Sequence, residues 1–305
     1  MWLLNSLIIG IALSLNTWGI NLNDTPLFNP YLSGKSVGLG KSSTVSTFDY
    51  NNMTQNPASI VRQQGLSLHA SQYLGIDYST IAFSYPYKNV TIGAHYVGSS
   101  MPNMGRSINN GTTIVSVDGD VPYSFQSLSL ITAIKWAMIN IGLGGQYQRL
   151  QLDNKHYATL KPFVGLTLHA IPQLIMGLSI QNIRTQSYAN NALQKKHPIY
   201  TLGGTYKVTN FTSAHVAFIN NENELTAHET LHFGIDHYLN DYIPLRFGLD
   251  HNRHSYGIGL NLDPFEIDIG WAQSRTSELD DQVTISFSYG FKQRNHLYTK
   301  ASVLN

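Results

Sequence analysis

The chain has 305 residues, no cysteine and a formal net charge of +1, with a mean hydropathy of −0.14. The missing thiols exclude disulfides, thiolate zinc sites and a cysteine nucleophile, and the small net charge argues against nucleic-acid binding through a basic patch. Charged residues make up only 12% of the chain, about half the usual fraction in soluble proteins. This composition predicts one apolar face and one polar face throughout.

The N-terminal segment MWLLNSLIIGIALSLNTWG predicts a secretory signal peptide over residues 1–19. Its apolar run from Leu7 to Leu15 is short for a bilayer span. Thr17 and Gly19 are small residues at the −3 and −1 positions of a cleavage site. Because no Lys or Arg precedes the run, an uncleaved anchor and a misassigned start codon remain alternatives.

Residues 20–64 form a loop-rich stretch with frequent turn residues, such as Asn29–Pro30 and Asn56–Pro57. A short helix is expected only around residues 57–62. The pattern changes at Gly65, where apolar and polar residues begin to alternate. Loops and turns therefore give way to strands at this point.

Alternation continues to the segment VTISFSYGF, Val283 to Phe291. Its odd positions are apolar or aromatic and its even positions are small or polar, so a strand places the two sets on opposite faces. About 14 such strands can be counted from Gly65 onward. A soluble β-sandwich turns its apolar faces inward, whereas a membrane barrel turns them toward lipid. Alternation alone is compatible with both.

Two further features favour a barrel. Aromatic residues that suit interfacial girdles lie near predicted strand ends: Tyr85, Trp136, Tyr147, Tyr200, Trp271 and Phe291. Tight connections such as Lys88–Asn89, Ile139–Asn140 and Asp263–Pro264 alternate with wider ones near 100–124, 185–197, 220–227 and 273–281. Short turns at one end and long loops at the other are typical of outer-membrane barrels. The polar, Gly- and Asn-rich stretch 100–124 is expected to be a flexible surface loop.

The C-terminal half resembles the PorV/PorQ-type outer-membrane proteins, which are relatives of the FadL-like transporters. The resembling elements are Phe233–Ile235, Leu245–Gly248, Tyr256–Leu260, FEIDIGWA at 265–272 and SFSYGF at 286–291. Near the N-terminus, Asn56, Pro57 and Ala58 resemble the Asn-Pro-Ala motif of that family. The likeness covers most of residues 33–291. The tail KQRNHLYTKASVLN after Phe291, and Ile269–Gly270–Trp271 in place of a frequent Tyr-Ala, depart from the family pattern.

The resemblance implies an all-β transmembrane antiparallel barrel of about 14 strands with a short N-terminal plug. The expected divisions are a plug over 20–64 that contains Asn56, Pro57 and Ala58, a barrel over 65–292, and a tail over 293–305. An even strand count places both termini in the periplasm. The expected partners are outer-membrane lipid, the assembly machinery, and a hydrophobic small molecule or a secreted cargo protein.

The expected function is non-enzymatic transport or surface capture in the outer membrane of a Gram-negative bacterium. One alternative is a partner of the type IX secretion machinery rather than a channel for hydrophobic solutes. Another, from a different class, is a secreted β-sandwich or adhesin-like structural protein. No cofactor is expected.

A polar network is the one candidate site on the faces that would line the lumen. Its expected members are Asp236, Arg246, Asp250, Glu266 and Asp268, which lie on neighbouring predicted strands. Because buried charges must be paired, a structural role is favoured over gating or ligand contact. The chain also has 12 histidines, but positions four apart on a strand are separated by about 13 Å. No metal site is expected, and no catalytic residues are expected.

Overall fold

In the computed structural model, the described residues are 33–43, 49–73, 76–109, 114–152, 155–183, 186–189, 192–195, 197–221, 229–275 and 281–291. The predicted signal peptide (1–19) and C-terminal tail (293–305) lie outside this part of the chain. Within it, no helix has both the length and the apolar character needed to cross a bilayer.

Strands dominate the described residues. They are β1 (Gly65–Tyr73), β2 (Ile76–Tyr87), β3 (Val90–Asn109), β4 (Ile114–Trp136), β5 (Ile139–Leu152), β6 (Lys155–Ile171), β7 (Leu174–Gln181), β8 (Gln186–Ala189), β9 (Ala192–Lys195), β10 (Ile199–Lys207), β11 (Thr212–Asn221), β12 (Glu229–Tyr238), β13 (Pro244–Leu249), β14 (Arg253–Leu262), β15 (Phe265–Ser274) and β16 (Gln282–Gly290). Helix α1 (Gly34–Gly38) and two 3-10 turns, Tyr50–Thr54 and Pro57–Ile60, precede them.

The sheet closes on itself. β1 pairs with both β2 and β16, and β7 pairs with β10, so that every wall strand has two antiparallel neighbours. β8 and β9 form a hairpin that pairs only with β6 among the described residues. The remaining 14 of the 16 strands form the wall. The predicted fold class is confirmed, and closure rules out the β-sandwich alternative.

The apolar face of the wall points outward. Leu130 is 62% exposed and Ile285 is 52% exposed, whereas Asp268 on the opposite face is 4% exposed. Successive side chains of a strand point to opposite faces, so most apolar side chains of the wall lie outside and most polar side chains lie inside. The outer surface is therefore suited to acyl chains, and the polar residues line the lumen.

The two ends of the barrel differ in their connections. One end, here called the turn end, carries tight links such as 88–89, 137–138, 172–173 and 263–264. The opposite end, the loop end, carries the connection between β7 and β10. It also carries two-residue links at 74–75 and 153–154, so its connections are not uniformly long as the sequence predicted.

Two sequence expectations about connections were wrong, and a third was incomplete. The stretch 100–124 is not a loop: it extends β3 and β4 into a hairpin with Met101 opposite Tyr123 and Asn109 opposite Ile114. The stretch 185–197 lies in the wide connection between β7 and β10, as expected, but it also contains the β8–β9 hairpin. The turn expected at Ile139–Asn140 lies two residues earlier, because both residues already pair with β6. In each case the backbone N–H and C=O groups form hydrogen bonds with a neighbouring strand. Residue composition alone does not show whether such pairing occurs.

Candidate functional site

The described part of the N-terminal segment lies inside the barrel as a plug. Ser33, whose Oγ accepts from the Ser36 amide at 3.1 Å, caps helix α1. The Gly34 amide donates to Ser286 Oγ of β16 at 2.6 Å, and His232 Nδ1 of β12 donates to the Gly40 carbonyl at 2.8 Å. Both wall residues face the lumen, so hydrogen bonds from opposite sides of α1 hold it against β12–β16.

Glycines on the wall create the space for α1. A Cβ on Gly38 would lie 2.9 Å from the Cα of Gly257, and one on Gly40 would lie 2.7 Å from the amide of Leu249. Gly40 also has a φ of 60°, which favours glycine. Gly248 on β13 and Gly257 on β14 therefore form a dock for the backbone of the plug.

The plug motif docks on another part of the wall. Asn56 Oδ1 accepts from the Ala58 amide at 3.0 Å, and its Nδ2 donates to the carbonyl of Leu166 on β6 at 3.3 Å. Pro57 stands at the start of the 3-10 turn, where its missing N–H is not needed. A Cβ on Gly142 of β5 would lie 2.6 Å from the Pro57 carbonyl oxygen. Close contact with the backbone of the plug therefore explains why position 142, which faces the lumen, is a glycine.

Four of the five predicted lumenal charges meet at one point beside α1. Arg246 Nε lies 3.4 Å from Asp236 Oδ1, and Nη2 lies 3.9 Å from Glu266 Oε1. Nη1 donates to Asp268 Oδ1. All four side chains are buried. One guanidinium thus lies within ion-pair distance of three carboxylates in a site shielded from solvent. Buried charges need an opposite charge nearby, and Arg246 provides it.

Asp250 lies apart from this cluster. It follows β13, and its Oδ1 accepts from the Asn252 amide at 2.8 Å within the tight connection to β14. Its side chain stabilises a turn rather than contacting Arg246. Asp250 shares the alternation of Arg246 in the sequence, but it lies four positions further along the chain, just beyond the end of β13.

A feature that the sequence analysis missed is a band of aromatic and apolar side chains inside the lumen, near the loop end. Register aligns them across β1 to β5. The apolar band consists of Tyr73, Ile76, Tyr78, Tyr123, Phe125 and Leu150, each at most 5% exposed. Apart from the three tyrosine hydroxyls, these side chains present apolar surface. In the sequence, these apolar residues stand at strand positions whose side chains point into the lumen, where polar residues are expected. That departure from the alternation is the signal that could have revealed them.

The lumen therefore has two unlike walls. The wall of β12–β16 carries the buried charges and receives α1. The wall of β1–β5 is different: of the lumen-facing side chains described there, only Lys135 at the turn end is charged. At the turn end an apolar cluster joins Met53 and Ile60 of the plug to Ile131 and Phe163 of the wall. The plug thus contacts both walls of the lumen.

No His, Asp and Glu in the described ranges form a group that could hold a metal ion. The fold and lumen instead define a plugged β-barrel with an apolar exterior, an apolar band and a buried charge cluster.

Comparison with solved structures places this architecture among known barrels. The chain resembles the toluene transporter TbuX of Ralstonia pickettii, with a TM-score of 0.64 and 11% identity over 87% of this chain and 100% of that one. It also resembles the toluene transporter TodX of Pseudomonas putida (TM-score 0.60, 11% identity, 85% and 97% of the two chains). A FadL homologue of Pseudomonas aeruginosa has a TM-score of 0.58 and 11% identity, covering 86% and 99%.

The fold is therefore that of a FadL-like β-barrel. At this level of identity the likeness concerns the fold alone. No protein-family model matches the sequence, and no curated protein matches it significantly.

Proposed function

We propose that the protein is an outer-membrane channel for small hydrophobic molecules and has no enzymatic activity. The observation that supports this most directly is the apolar band, which places Phe125 and Leu150 on the lumenal face. A water-filled porin has a polar interior. Buried aromatic side chains facing a lumen are instead typical of sites that take apolar ligands.

The exterior and the fold support the same proposal. A continuous apolar outer face suits the outer membrane, whose barrels expose such a band to lipid. The two similar structures from Ralstonia and Pseudomonas are described as toluene transporters. In this proposal the loop end faces the outside, the turn end and both termini face the periplasm, and lipid and the assembly machinery are partners.

The plug adds a requirement to the mechanism. Because Met53 and Ile60 pack against the wall at the turn end, a solute that has entered along the apolar band meets the plug before it reaches the periplasm. Passage then needs displacement of the 3-10 turns from β4–β6, while α1 stays held by the charged wall. In this step the hydrogen bonds of Gly34 to Ser286 and of His232 to Gly40 keep the α1 segment on its wall.

Uptake by cells tests the proposal. Cells that express the full chain should accumulate radiolabelled toluene faster than cells with an empty vector, and Phe125→Gln should reduce that gain. Proteoliposomes should swell little in arabinose, because the plug and band oppose polar solutes. Rapid arabinose entry together with unchanged toluene uptake would rule out a hydrophobic channel in favour of a general porin.

Surface capture of a secreted cargo protein, as in a type IX secretion partner, is the second candidate function. The observation that favours it is the β3–β4 hairpin. Beyond Ser99 on one side and Tyr123 on the other, its strands pair only with each other among the described residues. An edge of this kind can bind an extended peptide. Co-purification of secreted proteins that is lost when residues 104–120 are replaced by a short Gly-Ser link would favour capture.

A further inference from the structure

A set of buried polar side chains crosses the uncharged wall next to the apolar band. This polar belt consists of His69, Thr80, Ser127, Ser129, Gln146 and Gln148, each at most 6% exposed. Ladder pairing brings them together: Thr80 faces His69 on one side and Val97 on the other, and Ser127 faces Gln148. His95, whose ring centroid lies 6.5 Å from that of His69, lies beside Ser129 in the same belt.

The belt contains donors and acceptors that no protein group uses. Within the described part of the chain, both ring nitrogens of His69 and both amide atoms of Gln148 have no hydrogen-bond partner. The same holds for the hydroxyls of Thr80, Ser127 and Ser129. A buried polar atom without a partner costs about 1–3 kcal/mol. So many in one patch indicate a surface that hydrogen-bonds something that enters the lumen.

The position of the belt relates it to the apolar band. Tyr78, Phe125 and Leu150 lie two residues further toward the loop end on the strands that carry Thr80, Ser127 and Gln148. Two residues of strand correspond to about 7 Å. A molecule that lies against the band therefore reaches the belt with its inner end. Toward the turn end, the cluster of Ile131 and Phe163 with the plug makes the next layer apolar again.

The chemistry of the belt restricts what it can recognise. Hydroxyl, amide and imidazole groups offer both donors and acceptors, and the lumenal wall from β1 to β5 carries no charge at this level. The nearest cation along the ladder is Lys161 on β6, opposite Gln146, and this lysine has interactions of its own. A buried carboxylate needs a paired charge, whereas a hydroxyl or carbonyl needs only hydrogen bonds.

We propose that the polar belt binds the neutral hydrogen-bonding group of an uncharged amphiphile, such as an alcohol, phenol or ketone, whose apolar body lies against the apolar band. This inference rests on the proposed channel function and specifies its substrate class. The belt distinguishes such molecules from pure hydrocarbons, which leave its polar atoms unpaired. It also distinguishes them from fatty-acid anions, because the two nearest cations already have protein partners: Lys161 has interactions of its own, and Arg253 donates to Tyr73 and Gln282.

Three ligands of equal chain length separate these classes: 1-decanol, decane and decanoate at pH 8. Each competes with a bound hydrophobic fluorophore on the purified full-length protein in detergent. We expect decanol to compete at concentrations about three- to tenfold below those of decane, since one or more hydrogen bonds are gained, and decanoate to compete least well. Gln148→Leu should remove the preference for decanol and leave decane unchanged.

Two further variants keep the experiment decisive. Ser127→Ala removes one belt hydroxyl with little change in volume, and it should reduce the decanol preference even if Gln148→Leu does not fold. Thr201→Val is the matched control, because Thr201 on β10 is 4% exposed and faces the lumen outside the belt. It should behave as the wild type.

The possible results distinguish the inference from the function on which it rests. Equal competition by decane and decanol overturns the belt as a recognition site and leaves the hydrophobic channel standing. Tightest binding of decanoate also overturns it and assigns the site to anions through Lys161. Failure of all three ligands to compete overturns both the inference and the proposed function.

Discussion

Arg246 on β13 reaches across β14 and donates a hydrogen bond to Asp268 on β15. The path is open because Gly257 and Gly259 on β14 carry no side chains there. A Cβ on Gly259 would lie 3.0 Å from Arg246 Nη1. A long cation on β13, two glycines on β14 and three carboxylates on β12 and β15 therefore form one unit. That unit forms part of the wall on which α1 rests.

Loss of the guanidinium should destabilise the barrel strongly. We expect Arg246→Met to lower the free energy of unfolding by about 3–5 kcal/mol, because the carboxylates of Asp236 and Asp268 stay buried without their partner. Urea titration in detergent micelles measures this. Asp250→Asn is the control, since Asp250 lies outside the cluster, and its effect should stay within about 0.5 kcal/mol. Equal effects of the two variants would contradict the conclusion that Arg246 stabilises the buried carboxylates and that Asp250 lies outside their cluster.

Backbone contact between plug and wall should be sensitive to a single side chain. Gly38→Val places new atoms against Gly257, and the neighbour is backbone that cannot yield cheaply. We expect α1 to leave its dock, which should raise single-channel conductance and arabinose permeability in planar bilayers and liposomes. Gly145→Ala provides the comparison because its Cβ would meet no atom within 4 Å. Unchanged conductance in Gly38→Val would show that α1 does not restrict the lumen.

The plug motif depends on both polar atoms of one side chain. Asn56→Ala removes the cap of the 3-10 turn and the bond to Leu166, so we expect a loss of about 0.5–2 kcal/mol of stability and faster trypsin cleavage at Arg62. Asn56→Asp keeps an acceptor for the Ala58 amide but loses the donor to Leu166. It should fall between wild type and Asn56→Ala. Identical stability and cleavage rates in all three proteins would show that the hydrogen bonds of Asn56 do not stabilise the plug.

Depth in the membrane should determine the cost of a charge on the outer face. Leu130 lies in the middle of the paired part of β4, and Trp136 lies at its turn end. Leu130→Lys should cost about 2–4 kcal/mol when folding into lipid vesicles, and Trp136→Lys should cost about 0–1 kcal/mol from the charge. Reversible unfolding in vesicles gives both values. A larger cost at position 136 than at position 130 would show that the middle of the membrane does not lie at the level of Leu130.

Most of the wall could be predicted from residue order alone. Period-two alternation in segments such as Val283–Phe291 indicated the strands and their number. Each strand has one face toward lipid and one toward the lumen, so its own residues must alternate between apolar and polar. The hairpin at 100–124 could not be predicted, since polar strands that pair only with each other do not differ in composition from a loop. The same limit applied to Asp250, whose shared face with Arg246 said nothing about its distance along the barrel.

By itself the sequence determined a barrel-like pattern: apolar residues at every second position, few charges, and glycines on the polar face. Only the tertiary structure decided what those glycines and polar residues do. Closure of the wall brings β1 beside β16, and register sets Thr80, Val97, Ser127 and Gln148 in one row across β2–β5. Local patterning depends on neighbours one or two residues away, whereas the layers of the lumen depend on which strands hydrogen-bond and at what offset.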